Sequence, residues 1–178
     1  NLAVLELEGG VCSNAVELLQ KCVRLRPASE AAWTDLALAY ECAGSSDAEK
    51  AYLEAVKLGP ANLNALGAYG NYLVRAKRMD EGAVFLRKAL EVSPADPRAN
   101  YLMATVYSEE GDEVRAVEHL KRAIESAPGF IPALNNLAWL MATSTNSGVR
   151  DPVRALQLAD QLLASAGGGD ASVLATVA

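Results

Sequence analysis

His119 is the one histidine in the sequence and the first place to look for acid–base chemistry. A general base needs a nucleophile or proton donor within hydrogen-bond reach. His119 instead stands beside Glu118 and three residues after Ala116, in a pattern that reads as a solvated helix face. Gly167-Gly168-Gly169 precedes a helix start and would suit a phosphate. No strand leads into it and no Lys accompanies it, so it reads as a flexible linker. Glu109, Glu110, Asp112 and Glu113 gather carboxylates at the end of one helix and the start of the next. Acidic residues there serve capping and solubility, and with no further ligands no metal is assigned. Cys12, Cys22 and Cys42 are odd in number and lack CxxC spacing. They support neither a disulfide framework nor a zinc site and read as buried structural thiols. GxGxxG, GxxxxGK and HExxH are all absent. The reading is a non-enzyme with no catalytic residue, metal or cofactor.

The elements that carry these residues follow from composition. The 178-residue chain is 51% hydrophobic and 21% charged, with a mean hydropathy of +0.09, which excludes a disordered chain. Ala, Leu and Val dominate while aromatics reach 6%, which favours helices over an all-β sandwich. A net charge of −6 has the wrong sign for neutralising phosphates, so nucleic acid is excluded as a partner. No apolar run approaches the roughly 20 residues needed to cross a bilayer, so no membrane insertion is expected of this segment. The first residue is Asn1 rather than Met, so the chain reads as an excised fragment.

Internal periodicity organises the rest. Pro27, Pro60, Pro94 and Pro128 are separated by 33, 34 and 34 residues. Small residues keep the same step in Cys22, Ala55, Ala89 and Ala123; in Ala15, Ala48, Gly82 and Ala116; and in Ala37, Gly70, Ala104 and Ala138. So do large ones in Leu19, Tyr52, Leu86 and Leu120, and in Leu36, Tyr69, Met103 and Leu137. Within a unit, Trp33, Leu36, Ala37 and Tyr40 form one helical stripe. Two stripes per unit, separated by turn residues, make a helical hairpin. Gly111 ends one helix and Asp112 caps the next, Ser46 with Glu49 reads as a capping box, and Asp96-Pro97 and Asp151-Pro152 place a cap before a first-turn proline.

This period and pattern resemble the tetratricopeptide-repeat family over nearly the whole chain. The stretch from Asn135 to Thr143, with Arg150-Asp151-Pro152, resembles bacterial multi-repeat members. The resemblance implies an all-α, right-handed superhelical solenoid of antiparallel helix pairs. It would form a single solenoid over 1–178, divided into a partial repeat at 1–29, repeats at 30–62, 63–96, 97–130 and 131–169, and a truncated helix at 170–178. The fifth repeat carries an inserted Ser/Thr/Asn/Gly-rich surface loop at 143–150, since Ala155 follows Ala116 by 39 residues.

Each hairpin's first helix has a second face that its packing stripe leaves unused. Asn64, Asn71, Arg75, Arg98, Tyr101, Thr105, Asn135 and Trp139 fall there. The resemblance implies that this face lines a concave groove where peptides or partner helices bind. Asn pairs a peptide backbone, Tyr and Trp are large anchors, and Arg98 and Arg75 would hold a carboxylate. The carboxylate clamp of some family members is incomplete here, with Thr34 and Gly67 at the first-repeat lysine position. The expected function is a noncatalytic protein-interaction scaffold. The alternatives are a substrate-recognition arm of a larger enzyme, such as a glycosyltransferase, and a module that self-associates through exposed terminal repeats.

Overall fold

Small residues at fixed intervals let paired helices approach, and the chain folds accordingly. In a computed structural model, residues 12–165 are described. They form nine helices and no strand: α1 (Cys12–Leu25), α2 (Glu30–Cys42), α3 (Ala48–Leu58), α4 (Leu63–Arg75), α5 (Met79–Val92), α6 (Pro97–Glu109), α7 (Glu113–Ser126), α8 (Ile131–Thr143) and α9 (Pro152–Ser165). The glycine linker at 167–169 and the truncated helix at 170–178 lie outside the described residues, as does the start of the first partial repeat. The helices divide into two compact units, the first ending at Val92 and the second beginning at Ser93.

In the first unit α1 packs on α2, and α2/α3 and α4/α5 are antiparallel hairpins that stack. Its core holds Ala15, Leu19, Leu36, Ala37, Tyr52, Tyr69 and Leu73, all at most 3% exposed. In the second unit the hairpins α6/α7 and α8/α9 close over Ala104, Leu120, Ala133, Leu134, Leu137 and Leu158.

Helix starts are capped as the sequence indicates. The Ala99 N–H donates to Asp96 Oδ1 (2.7 Å), Arg115 N–H to Asp112 Oδ1 (3.0 Å) and Arg154 N–H to Asp151 Oδ1 (2.9 Å). The expected capping box at Ser46 and Glu49 does not form. Asp47 precedes α3 without a side-chain cap, and Glu49 instead accepts from Tyr69 and Arg78. The turn inside each of the first three complete hairpins holds one left-handed residue at the same register: Gly44, Lys77 and Gly111, with φ of 66°, 62° and 79°.

Two further expectations are corrected. Cys12 and Cys42 are not buried thiols but are joined in a disulfide, with 5.8 Å between their Cα atoms. The repeat brings the first residue of α1 beside the last residue of α2, a proximity that sequence spacing conceals. Cys22 is free and exposed, although its register mates Ala55, Ala89 and Ala123 are buried. The inserted loop is on the surface but anchored. Val149 is 5% exposed within the core, and the Asp151 N–H donates to the Met141 carbonyl (2.9 Å).

The α4/α5 crossing makes the packing constraint measurable. A Cβ on Gly82 would lie 3.1 Å from the Gly70 carbonyl oxygen and 2.9 Å from Val74 Cγ2, whereas a Cβ on Gly67 meets nothing. Gly67→Ala should therefore raise the denaturation midpoint, by about 0.5–1 kcal/mol of helix propensity. Gly82→Ala should lower it by about 1–3 kcal/mol through overpacking. Urea unfolding of the two variants against the parent checks both signs.

Candidate functional site

The proposed face is built differently in the two units. In the first, α4 presents Asn64 exposed and Asn71 half-buried. Arg75, at the end of the same helix, is not free to meet a carboxylate from outside. Its guanidinium is hydrogen-bonded to Glu41 at the end of α2. The other Glu41 oxygen accepts from the Tyr52 hydroxyl (2.7 Å). Burial, and then the bond to Glu41, push the Tyr52 phenol far above its ordinary value. A second set repeats the arrangement. The Tyr69 hydroxyl donates to Glu49 (3.1 Å), and Arg78 bridges Glu49 (2.7 Å) and Glu81 (2.7 Å). The Tyr69 phenol is pushed up to about 12, mainly by burial. The rings of Tyr52, Tyr69, Tyr72 and Phe85 form a cluster of stacked and tilted pairs, with centroids 4.5–6.3 Å apart. Sequence reasoning missed this network. Its signal was the opposite charge of Glu41 and Arg75, which stand near the ends of the first helices of successive hairpins.

In the second unit α6 carries Arg98, Tyr101 and Thr105, and α8 carries Asn135 and Trp139. Arg98 is exposed. The Tyr101 ring is half-buried, edge-on to Phe130 at 5.7 Å, which ties α6 to the start of α8. The Thr105 hydroxyl turns inward and donates to the Tyr101 carbonyl (3.2 Å). Asn135 is half-buried. Trp139 is 55% exposed, although its helix buries Ala133, Leu134, Leu137 and Ala138 on the other side. The first unit's counterparts of Trp139 in register are Leu38, itself 39% exposed, and half-buried Asn71.

His119 is not a solvated helix-face residue. It is half-buried, stacked on Tyr107 at 5.4 Å, with Nδ1 2.9 Å from Asn100 Oδ1. Fully buried Asn100 uses its amide hydrogens on the carbonyls of Pro94 (3.0 Å) and Asp96 (2.9 Å), so Oδ1 accepts and His119 Nδ1 carries the donated proton. Arg115 covers the Tyr107 ring, 4.4 Å from its centroid. The acidic turn at Glu110–Glu113, with Asn146, borders an open depression of about 400 Å³. Among the described residues no group of three or more His, Cys, Asp or Glu side chains could hold a metal ion. Also among them, no helix is long and apolar enough to cross a membrane.

Burial, then the nearby Arg122, lowers the His119 imidazole below its ordinary 6.5. The unfolded chain therefore takes up a proton first, and folded stability falls as pH drops through that range. Between about pH 7 and pH 5 the parent should lose more stability than His119→Asn, whose amide nitrogen matches Nδ1 as a donor for Asn100 but does not titrate. Denaturation midpoints of both proteins across that range test the sign.

Residues 97–130 match the family model for the tetratricopeptide repeat. The cytochrome c-type biogenesis protein CycH of Rhizobium meliloti (strain 1021) is 31% identical over 115 residues, covering 62% of this chain. The chain spans about 30% of that relative's length. Among solved structures, Pseudomonas aeruginosa PilF is similar with a TM-score of 0.84 at 23% identity, over 98% of this chain and 78% of that one. YrrB, described as a TPR protein with an unusual peptide-binding site, gives 0.68 at 19% identity, over 99% and 88%. At these identities the structural likenesses carry the fold: an all-α array of tetratricopeptide-type hairpins.

Proposed function

We propose that this tetratricopeptide-repeat protein is a noncatalytic scaffold that binds a peptide or partner helix on the first-helix faces of its hairpins, with α6 and α8 of the second unit as a principal contact. The observation that supports this most is Trp139. A 55% exposed indole on a helix already packed on its opposite side serves no core. Large aromatics are the commonest anchors of protein interfaces because they bury much area at little entropic cost. Tyr101 occupies the register position of Asn135, and Thr105 that of Trp139, so α6 and α8 offer matched rows of side chains. Arg98 is exposed, and a guanidinium on an acidic chain favours a partner segment bearing a carboxylate. In the first unit Asn64 and Asn71 can pair with a peptide backbone, whereas Arg75 is held by Glu41.

Partners captured with the full-length protein supply the ligand for the test. Trp139→Ala should weaken binding by about 2 kcal/mol or more. Arg98→Ala should cost about 1.5–3 kcal/mol if a charge-assisted hydrogen bond is lost, an effect that shrinks with salt. Lys121→Ala, exposed on α7, should leave affinity unchanged. Titration calorimetry on the three variants decides. Loss confined to the Lys121 variant moves the site to the second helices and overturns the reading.

A further inference from the structure

We propose that the Cys12–Cys42 bond is an exchangeable staple, opened by small-molecule or protein thiols, that governs whether α1 stays docked on α2. The bond joins the first residue of α1 to the last residue of α2, thirty residues apart in sequence. Besides it, among the described residues, α1 is held by buried Ala15, Leu19 and Val23, by partly buried Val16 and Leu18, and by a side-chain hydrogen bond from Gln20 Nε2 to the Tyr40 hydroxyl (2.9 Å). Its other side leaves Cys22 exposed and Leu25 82% exposed. A helix held by one buried stripe gains from a covalent tie.

The two sulfurs are not equivalent. Cys42 is exposed and Cys12 half-buried, so an incoming thiolate reaches Cys42 more readily. Cys42 stands at the carbonyl end of α2, where a thiolate is not stabilised, which makes Cys42 the poorer leaving group. Accessibility and leaving-group stability therefore select the same direction. A thiolate attacks Cys42 Sγ, a new sulfur–sulfur bond to Cys42 forms, the Cys12–Cys42 bond breaks, and its electron pair leaves on Cys12 Sγ. A second thiolate attacks the external sulfur of this mixed disulfide. That releases Cys42 as a thiolate and yields the disulfide of the attacking thiol. Two thiols are thus oxidised as the protein bond accepts two electrons, and the thiolates take protons from solvent.

The test uses the full chain carrying Cys22→Ser, so that only the pair can react. After oxidation with glutathione disulfide, non-reducing peptide mapping should recover Cys12 and Cys42 linked. Brief treatment with reduced glutathione and an acid quench should place the glutathione adduct on Cys42. On full reduction, amide exchange in α1 should rise by about a hundredfold while α4 and α5 stay unchanged. Cys12→Ser should show the same α1 exchange with no reductant present, which separates loss of the staple from an effect of the thiol. Free, alkylatable Cys12 and Cys42 after oxidation, an adduct confined to Cys12, or α1 exchange unaltered by reduction would each overturn the proposal.

Discussion

A hairpin of two helices buries a common core only when a small residue stands where they cross, and the whole chain is organised around that requirement. At the α4/α5 crossing the residues are Gly70 and Gly82, so close that a Cβ on Gly82 would press on the Gly70 carbonyl. The equivalent positions elsewhere are alanines: Ala37 and Ala48, Ala104 and Ala116, Ala138 and Ala155, each at most 7% exposed. Once the backbones approach, one large side chain on each of α1, α3, α5 and α7 fills the space beside the crossing. Leu19, Tyr52, Leu86 and Leu120 do so at 0–2% exposure. The same approach dictates a tight turn, hence one left-handed residue at each of Gly44, Lys77 and Gly111.

The polar ties follow from which large side chain fills that space. A buried Tyr52 hydroxyl requires an acceptor, Glu41 supplies it, and the half-buried carboxylate in turn draws Arg75 from the next hairpin. Leu86 and Leu120 hold the same register without a hydroxyl, and no such chain of obligations arises around them. The second unit meets a different requirement. Asn100, with no exposed surface, must satisfy its amide, and it does so through two loop carbonyls and His119. The histidine that first suggested acid–base chemistry is thereby accounted for as a packing group.

Much of the fold was legible because its determinants repeat. Prolines, crossing residues and the Asp96, Asp112 and Asp151 caps are local features with a fixed interval, and they fold as their types dictate. What escaped was whatever depends on two residues meeting across hairpins. Cys12 and Cys42 carry no spacing that announces a bond, and Arg75 looks free until Glu41 is placed beside its end of α4. Ser46 failed as a cap because the shorter turn of its hairpin lets α3 start at Ala48, and Glu49 found better partners in Tyr69 and Arg78. The face of the first helices was readable by subtraction. Which of its side chains stay available was not, because that depends on contacts such as Tyr101 with Phe130.

Subtraction also identifies where this chain has latitude. At the crossing register only Gly and Ala occur, because packing tolerates little else, while the filling register holds Leu19, Tyr52, Leu86 and Leu120 and then Ala159 in α9. One register position on the first helices behaves otherwise, holding Leu38, Asn71, Thr105 and Trp139 in successive hairpins. An aliphatic, an amide, a hydroxyl and an indole share no packing requirement, and none of the four is fully buried. Four chemistries at one geometric position mean that the fold does not determine the residue there. There the backbone is constant and the side chain is unconstrained, so that position can change its chemistry without a change in the shape of the hairpin.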